Sequence, residues 1–93
     1  DAGITAMEYE PGAVEGLKKA IDRQAPAETH YDHDARWGDG NGFSHVRSAL
    51  MGASITVPFN PKKLALGTSQ QIILCDFDNR SRKRRILVQM LGE

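Results

Sequence analysis

Gly42-Phe43-Ser44-His45-Val46-Arg47-Ser48-Ala49-Leu50-Met51, followed by Gly52-Ala53-Ser54-Ile55-Thr56-Val57-Pro58, carries the change of pattern on which the fold turns. Phe43, Val46 and Leu50 recur at helical spacing, and Gly52 can take the left-handed closing conformation, which predicts a helix over 42–51 with those three residues facing the core. From Ser54 the pattern becomes that of short strands: Ser54–Pro58, Leu64–Leu66, Gln71–Phe77 and Arg85–Leu91, with turns at Asn60-Pro61 and Asp78-Asn79. Upstream, Val14, Leu17 and Ile21 mark an amphipathic helix over 11–24, with Pro11 in its first turn and Pro26 beyond its end. Residues 2–7 read as the end of a strand, and residues 26–42 as a long structureless loop. Two helices ahead of a run of strands predict an α+β fold with a largely antiparallel sheet. The continuous apolar runs Ile72–Cys75 and Ile86–Val88 imply strands covered on both faces, by helices or by a partner subunit, so an oligomer is expected.

The chain has 93 residues, one domain's worth, 40% hydrophobic and 26% charged, which excludes disordered and collagen-like classes. Its net charge of zero hides an asymmetry. Residues 1–46 hold nine acids and four bases, and residues 47–93 hold three acids and eight bases, an arrangement that suits subunits packing unlike halves together. One cysteine, Cys75, in an apolar run, is expected to be a buried, inert thiol in a reducing compartment. No apolar stretch approaches the roughly 18 residues that span a bilayer and no leader pattern is seen, so a cytoplasmic location is expected.

The chemistry concentrates between His30 and His45. All three histidines lie there, with Asp32, Asp34 and Asp39, and together these groups offer either metal ligands or an acid and base that work near neutral pH. Gly38-Asp39-Gly40-Asn41-Gly42 runs into the second helix, where exposed backbone N–H groups suit a phosphate, although Asp39 or Asn41 can equally serve as a helix cap. Trp37 lies in the same loop. The His-x-x-His spacing of His30 and His33 matches no established zinc pattern. The basic run Arg80, Arg82, Lys83, Arg84 and Arg85 is expected at a hairpin tip, more as a solvated turn than as a phosphate contact, and no stacking aromatics accompany it. A Gly-x-Ser-x-Gly nucleophile motif is absent.

Tyr31-Asp32-His33-Asp34, Gly38-Asp39-Gly40-Asn41, Ser44-His45, Ser48-Ala49-Leu50-Met51-Gly52, Ser54-Ile55-Thr56-Val57-Pro58, Lys63-Leu64-Ala65-Leu66-Gly67-Thr68 with Gln70, and Arg84-Arg85-Ile86-Leu87-Val88-Gln89 together resemble the YjbQ-like family, also called secondary thiamine-phosphate synthase enzymes. The resemblance spans residues 1–93 as a single domain. It implies a compact α+β trimer with histidines and acids near a subunit boundary, a divalent metal such as zinc or magnesium, and a phosphorylated small-molecule substrate. The implied activity is a weak transfer joining a pyrimidine pyrophosphate to a thiazole phosphate. By position, His33, Asp34, Asp39 and His45 correspond to the catalytic group, with His33 and His45 as metal ligands, and Glu8, Gly40, Asn41 and Ser48 to phosphate or substrate binding. The chain departs from the family in having Ser69 where a tryptophan is usual and Met7 where an asparagine is usual. It is also expected to lack the family's opening strands and, with them, one site histidine. Two readings follow: an enzyme of this kind, or a non-catalytic oligomeric module that meets RNA or protein through residues 80–85. Nucleic acid is the less favoured partner and no membrane is expected.

Overall fold

A computed structural model describes residues 1–92. Strand β1 (Ala2–Glu8) leads into helix α1 (Pro11–Gln24), a short helix α2 (Asp32–Trp37), helix α3 (Gly42–Met51), a two-residue hairpin of β2 (Phe59–Asn60) and β3 (Lys63–Leu64), and the long strand β4 (Gln70–Asp76). β1 and β4 pair antiparallel from Ala2 opposite Asp76 to Glu8 opposite Gln70, and β2 and β3 form a second antiparallel pair. The α+β class and the antiparallel pairing are as the sequence predicts.

Local chemistry accounts for the ends of these elements. Glu10 caps α1 by accepting from the N–H groups of Gly12 and Ala13, and Pro11 takes the first helical position, where its missing N–H costs nothing. Asn60 shapes the β2–β3 turn, its Oδ1 accepting from Lys62 N at 2.9 Å and Lys63 N at 3.1 Å. α3 starts at Gly42 and ends at Met51, with Gly52 at φ 91° closing it.

Four expectations are corrected. The loop 26–42 is not structureless, because α2 lies inside it; six residues show no apolar period, and only the acids Asp32 and Asp34 in the first turn and Arg36 in the last mark it. Within α3 two of the three predicted stripe residues face outward, Val46 38% and Leu50 65% exposed, Phe43 is half-buried, and Gly42 and Ser44 are buried. The reason is close approach to β1: Ser48 Oγ donates to Ala2 O at 2.8 Å, Ile4 N donates to Gly52 O at 3.0 Å, and Gly3 lies against Met51.

Ser54–Pro58 and Arg85–Leu91 have strand-like sequences but join no ladder, since nothing among the described residues pairs with them. Residues 80–85 consequently form no hairpin tip. Finally, β4 is covered on one face only: Phe77 just beyond it is buried and Cys75 half-buried, whereas Ile72 and Leu74 are about two-fifths exposed. The Cα radius of gyration is 15.6 Å, against about 12 Å for a globule of this length. Much apolar surface thus stays outside.

Candidate functional site

The β1–β4 ladder brings the start of β1 beside the end of β4, where Phe77 N donates to Asp1 O at 2.9 Å. α2 and α3 sit over this end. An open cleft of about 440 Å³ results, lined by Asp1, His33, Trp37, Asp39, Asn41, His45, Asp78, Arg82 and Arg84.

Two histidines from different helices meet in it. The rings of His33 on α2 and His45 on α3 lie 4.2 Å apart between centroids in an edge-to-face arrangement. Nδ1 of His33 and Nε2 of His45 are each sequestered from solvent without a hydrogen-bond partner. Buried polar atoms are rarely left so, and such orphans commonly mark a missing ion or water. Around His33, the Oδ1 atoms of Asp39 and Asp34 stand 3.6 and 3.8 Å from Nδ1, and ligand atoms of these three residues lie within 4.8 Å of one another. His45 falls outside that tighter trio and faces it. Its Nδ1 contacts the Asp1 carboxylate. A carboxylate there accepts Nδ1–H, which assigns the tautomer that leaves the Nε2 lone pair free.

Imidazole nitrogens beside carboxylate oxygens fit a borderline divalent cation, zinc more readily than magnesium, which favours oxygen donors throughout. The residues present therefore suit the metal that the family resemblance implies.

The remaining predicted residues hold the site together or lie outside it. Asp34 Oδ1 accepts from Gly42 N at 2.8 Å, so this carboxylate fills the anion seat at the start of α3 that a phosphate was expected to take. Asn41, 5% exposed, spends its side-chain amide on a clamp: Nδ2 donates to Asp78 Oδ1 at 2.9 Å and Oδ1 accepts from Asn79 N at 3.0 Å. Asp39 Oδ1 accepts from Asn41 N at 3.2 Å, and Asp39 O accepts from Asn79 Nδ2 at 3.0 Å. Gly40, at φ 64°, supplies the left-handed turn between them. Ser48 is bonded to β1, and Glu8 stands at the opposite end of β1 from the cleft, beside Gln70. His30 is exposed, 3.6 Å from Asp32, and does not line the cleft.

Asp1 and Asp78 were not predicted, and Arg82 and Arg84 were expected in a solvated turn more than at a phosphate. Asp78, 3% exposed, lies beneath both guanidiniums, with Arg82 Nε at 2.7 Å and Arg84 in contact through Nη2. Burial pushes its carboxyl upward, but hydrogen bonds from Asn41, the Asp1 backbone nitrogen and Arg84 outweigh burial and hold it well below the usual carboxylate range. Arg84 also grips Asp76 at both oxygens, 2.9 and 2.7 Å, which lowers Asp76 and raises Arg84. At Cys75 burial pushes the thiol up, as expected of an inert cysteine. The sequence signal for the arginines was the basic run, and for Asp78 the predicted turn at Asp78-Asn79; what was missing was the ladder register that folds both onto the histidines.

The whole chain, residues 1–93, matches the family model described as UPF0047 protein YjbQ-like. A UPF0047 protein of Archaeoglobus fulgidus is 37% identical over 88 residues, covering 95% of this chain and 68% of the relative, and one of Methanothermobacter thermautotrophicus is 34% identical over 92 residues, covering 99% and 62%. Among solved structures, a YbjQ-like protein of unknown function from Sulfolobus solfataricus P2 superposes with a TM-score of 0.75 at 30% identity, over 83% of this chain and 54% of that one. A YjbQ/UPF0047 protein from Clostridium acetobutylicum gives 0.72 at 33% identity, over 83% and 57%. The chain thus spans a little over half the length of the solved relatives. Among the described residues, no helix is long and apolar enough to cross a membrane.

Proposed function

The chain belongs to the UPF0047 YjbQ-like family, and from that premise we propose that its cleft binds a divalent cation and a phosphorylated small molecule for group transfer of the thiamine-phosphate synthase type. The observation that carries this reading is the pair of orphaned imidazole nitrogens, His33 Nδ1 and His45 Nε2, on rings 4.2 Å apart, with Asp34 and Asp39 beside His33. His33 and His45 would hold the cation, with Asp39 and the free oxygen of Asp34 nearest to complete its ligands. A cation bound there supplies positive charge where a departing pyrophosphate builds negative charge.

The chain's own groups do the rest. Asp1 fixes the His45 ring by accepting its Nδ1–H, and the Asp34 carboxylate ties α2 to α3 so that the two imidazoles keep their spacing. Trp37, 65% exposed at the rim, with its ring 6.4 Å from that of His33, offers an apolar face to a heteroaromatic substrate. In the transfer itself the bond from the pyrimidine methylene carbon to pyrophosphate oxygen breaks, the leaving group keeps the electron pair, and the thiazole nitrogen forms the new bond.

The same reading includes a homo-oligomer, with a trimer expected from the family resemblance. Val46 and Leu50 of α3, Ile72 and Leu74 of β4, and Leu87, Val88, Met90 and Leu91 are exposed large apolar side chains that a second copy could cover.

The test is release of pyrophosphate from a pyrimidine pyrophosphate in the presence of a thiazole phosphate. The metal-loaded protein is expected to release it, with His33→Ala and His45→Ala each at least tenfold slower, the lower end of what loss of a metal ligand or its support costs. Equal rates in all three proteins would refute the assignment.

A further inference from the structure

We infer that Arg82, and not the glycine turn before α3, is the residue that grips the phosphate or diphosphate end of the ligand. This rests on the reading of the cleft as a phosphoester site and adds the anion's contact to it.

The two N–H groups of the glycine turn nearest α3 are already taken. The Gly42 N–H is taken by Asp34, the Asn41 N–H by Asp39, and both ends of the Asn41 amide by Asp78 and Asn79. An anion placed there would meet the Asp34 carboxylate first. On the facing wall stand the two arginines that line the cleft, and they differ. Arg84 is committed, with Nε and Nη2 holding Asp76 in a two-point grip and Nη2 also reaching Asp78. Arg82 is ion-paired with Asp78, Nε standing 2.7 Å from Oδ2, and no side-chain hydrogen bond among the described residues engages its guanidinium. Its side chain is 39% exposed, in the same cleft as His33, His45 and Trp37. A guanidinium held beside Asp78 by charge, with no hydrogen bond spent on the protein, has a pair of parallel donors left for the geometry that a phosphate oxygen pair accepts.

Charge decides the order of binding. Asp1, Asp34, Asp39, Asp76 and Asp78 outnumber Arg82 and Arg84 around the cleft, so an anion alone meets a net negative field. A cation at the histidines reverses that field, and Arg82 then supplies the directed contact. Cation and anion should therefore bind with positive coupling.

The experiment is calorimetric titration of inorganic pyrophosphate into the full chain with and without saturating Zn²⁺, Zn²⁺ binding being measured separately. Arg82→Gln and Lys83→Gln are compared, since Lys83 carries the same charge next door but lies off the cleft lining. The expected result is unchanged Zn²⁺ binding in both variants, pyrophosphate affinity about tenfold or more weaker in Arg82→Gln, as loss of charged hydrogen bonds dictates, and wild-type affinity in Lys83→Gln. Zn²⁺ bound normally with equal pyrophosphate affinity in Arg82→Gln and wild type overturns the inference and leaves the metal reading intact. Arg82-dependent pyrophosphate binding without any Zn²⁺ binding supports the inference and overturns the metal reading. Wild-type protein that binds no pyrophosphate overturns the inference.

Discussion

Asp78 is the residue on which the cleft wall rests: 3% exposed, it is shared by Asn41, Arg82 and Arg84. Its carboxyl is depressed in the folded chain, so its stabilisation is fully present above the unfolded value of about 3.9 and is lost as pH falls from there through the folded value. Denaturation midpoints measured from pH 6 down to pH 2 should fall more steeply below about pH 4 in the wild type than in Asp78→Asn, which at pH 7 should be destabilised by about 1–3 kcal/mol. Parallel acid limbs would show that Asp78 carries no such linkage. At this scale the sequence was informative where chemistry clusters along the chain: His33, Asp34, Asp39 and His45 lie close in sequence and do meet. It was silent on Asp1 and Asp78, separated by 77 positions and joined only by the register of β1 against β4.

Between elements, the seam of α3 on β1 positions His45, and Gly3 is what permits it. A Cβ on Gly3 would stand 2.7 Å from Met51 Sδ and 2.9 Å from Met51 Cβ, closer than atoms pack, and Met51 Cβ cannot swing away. Gly3→Ala should cost about 1–3 kcal/mol of stability, and that cost should shrink when measured on a Met51→Ala background. A neutral Gly3→Ala in thermal or denaturant unfolding would contradict the seam. The bounds of α1 and α3 were legible because caps and periodicity are local, and so was the presence of β4. The outward turn of Val46 and Leu50 in α3 was not: they are helical in spacing with Phe43, but which face turns inward is set by small residues, Ser48 against β1 and Gly42 against Tyr31 and Asp34. Residues 85–91 likewise read as a strand, since a continuous apolar run such as Ile86–Val88 reports a wish for a neighbour and not its presence.

Over the whole molecule, few large apolar side chains are buried. Phe77 is buried and Leu87, Val88, Met90 and Leu91 are 75–94% exposed. With this surface, and halves of opposite charge, sedimentation at micromolar concentration should show an oligomer that weakens when Leu87 and Val88 are both replaced by serine. A monomer throughout would refute the assembly. The account as a whole stands on the two orphaned imidazole nitrogens being ligands. The measurement that tests this most directly is zinc stoichiometry of the dialysed protein by elemental analysis, for wild type and the His33→Ala, His45→Ala double variant. About one zinc per chain in the wild type and essentially none in the double variant is predicted; equal zinc in both, or none in the wild type, would contradict it.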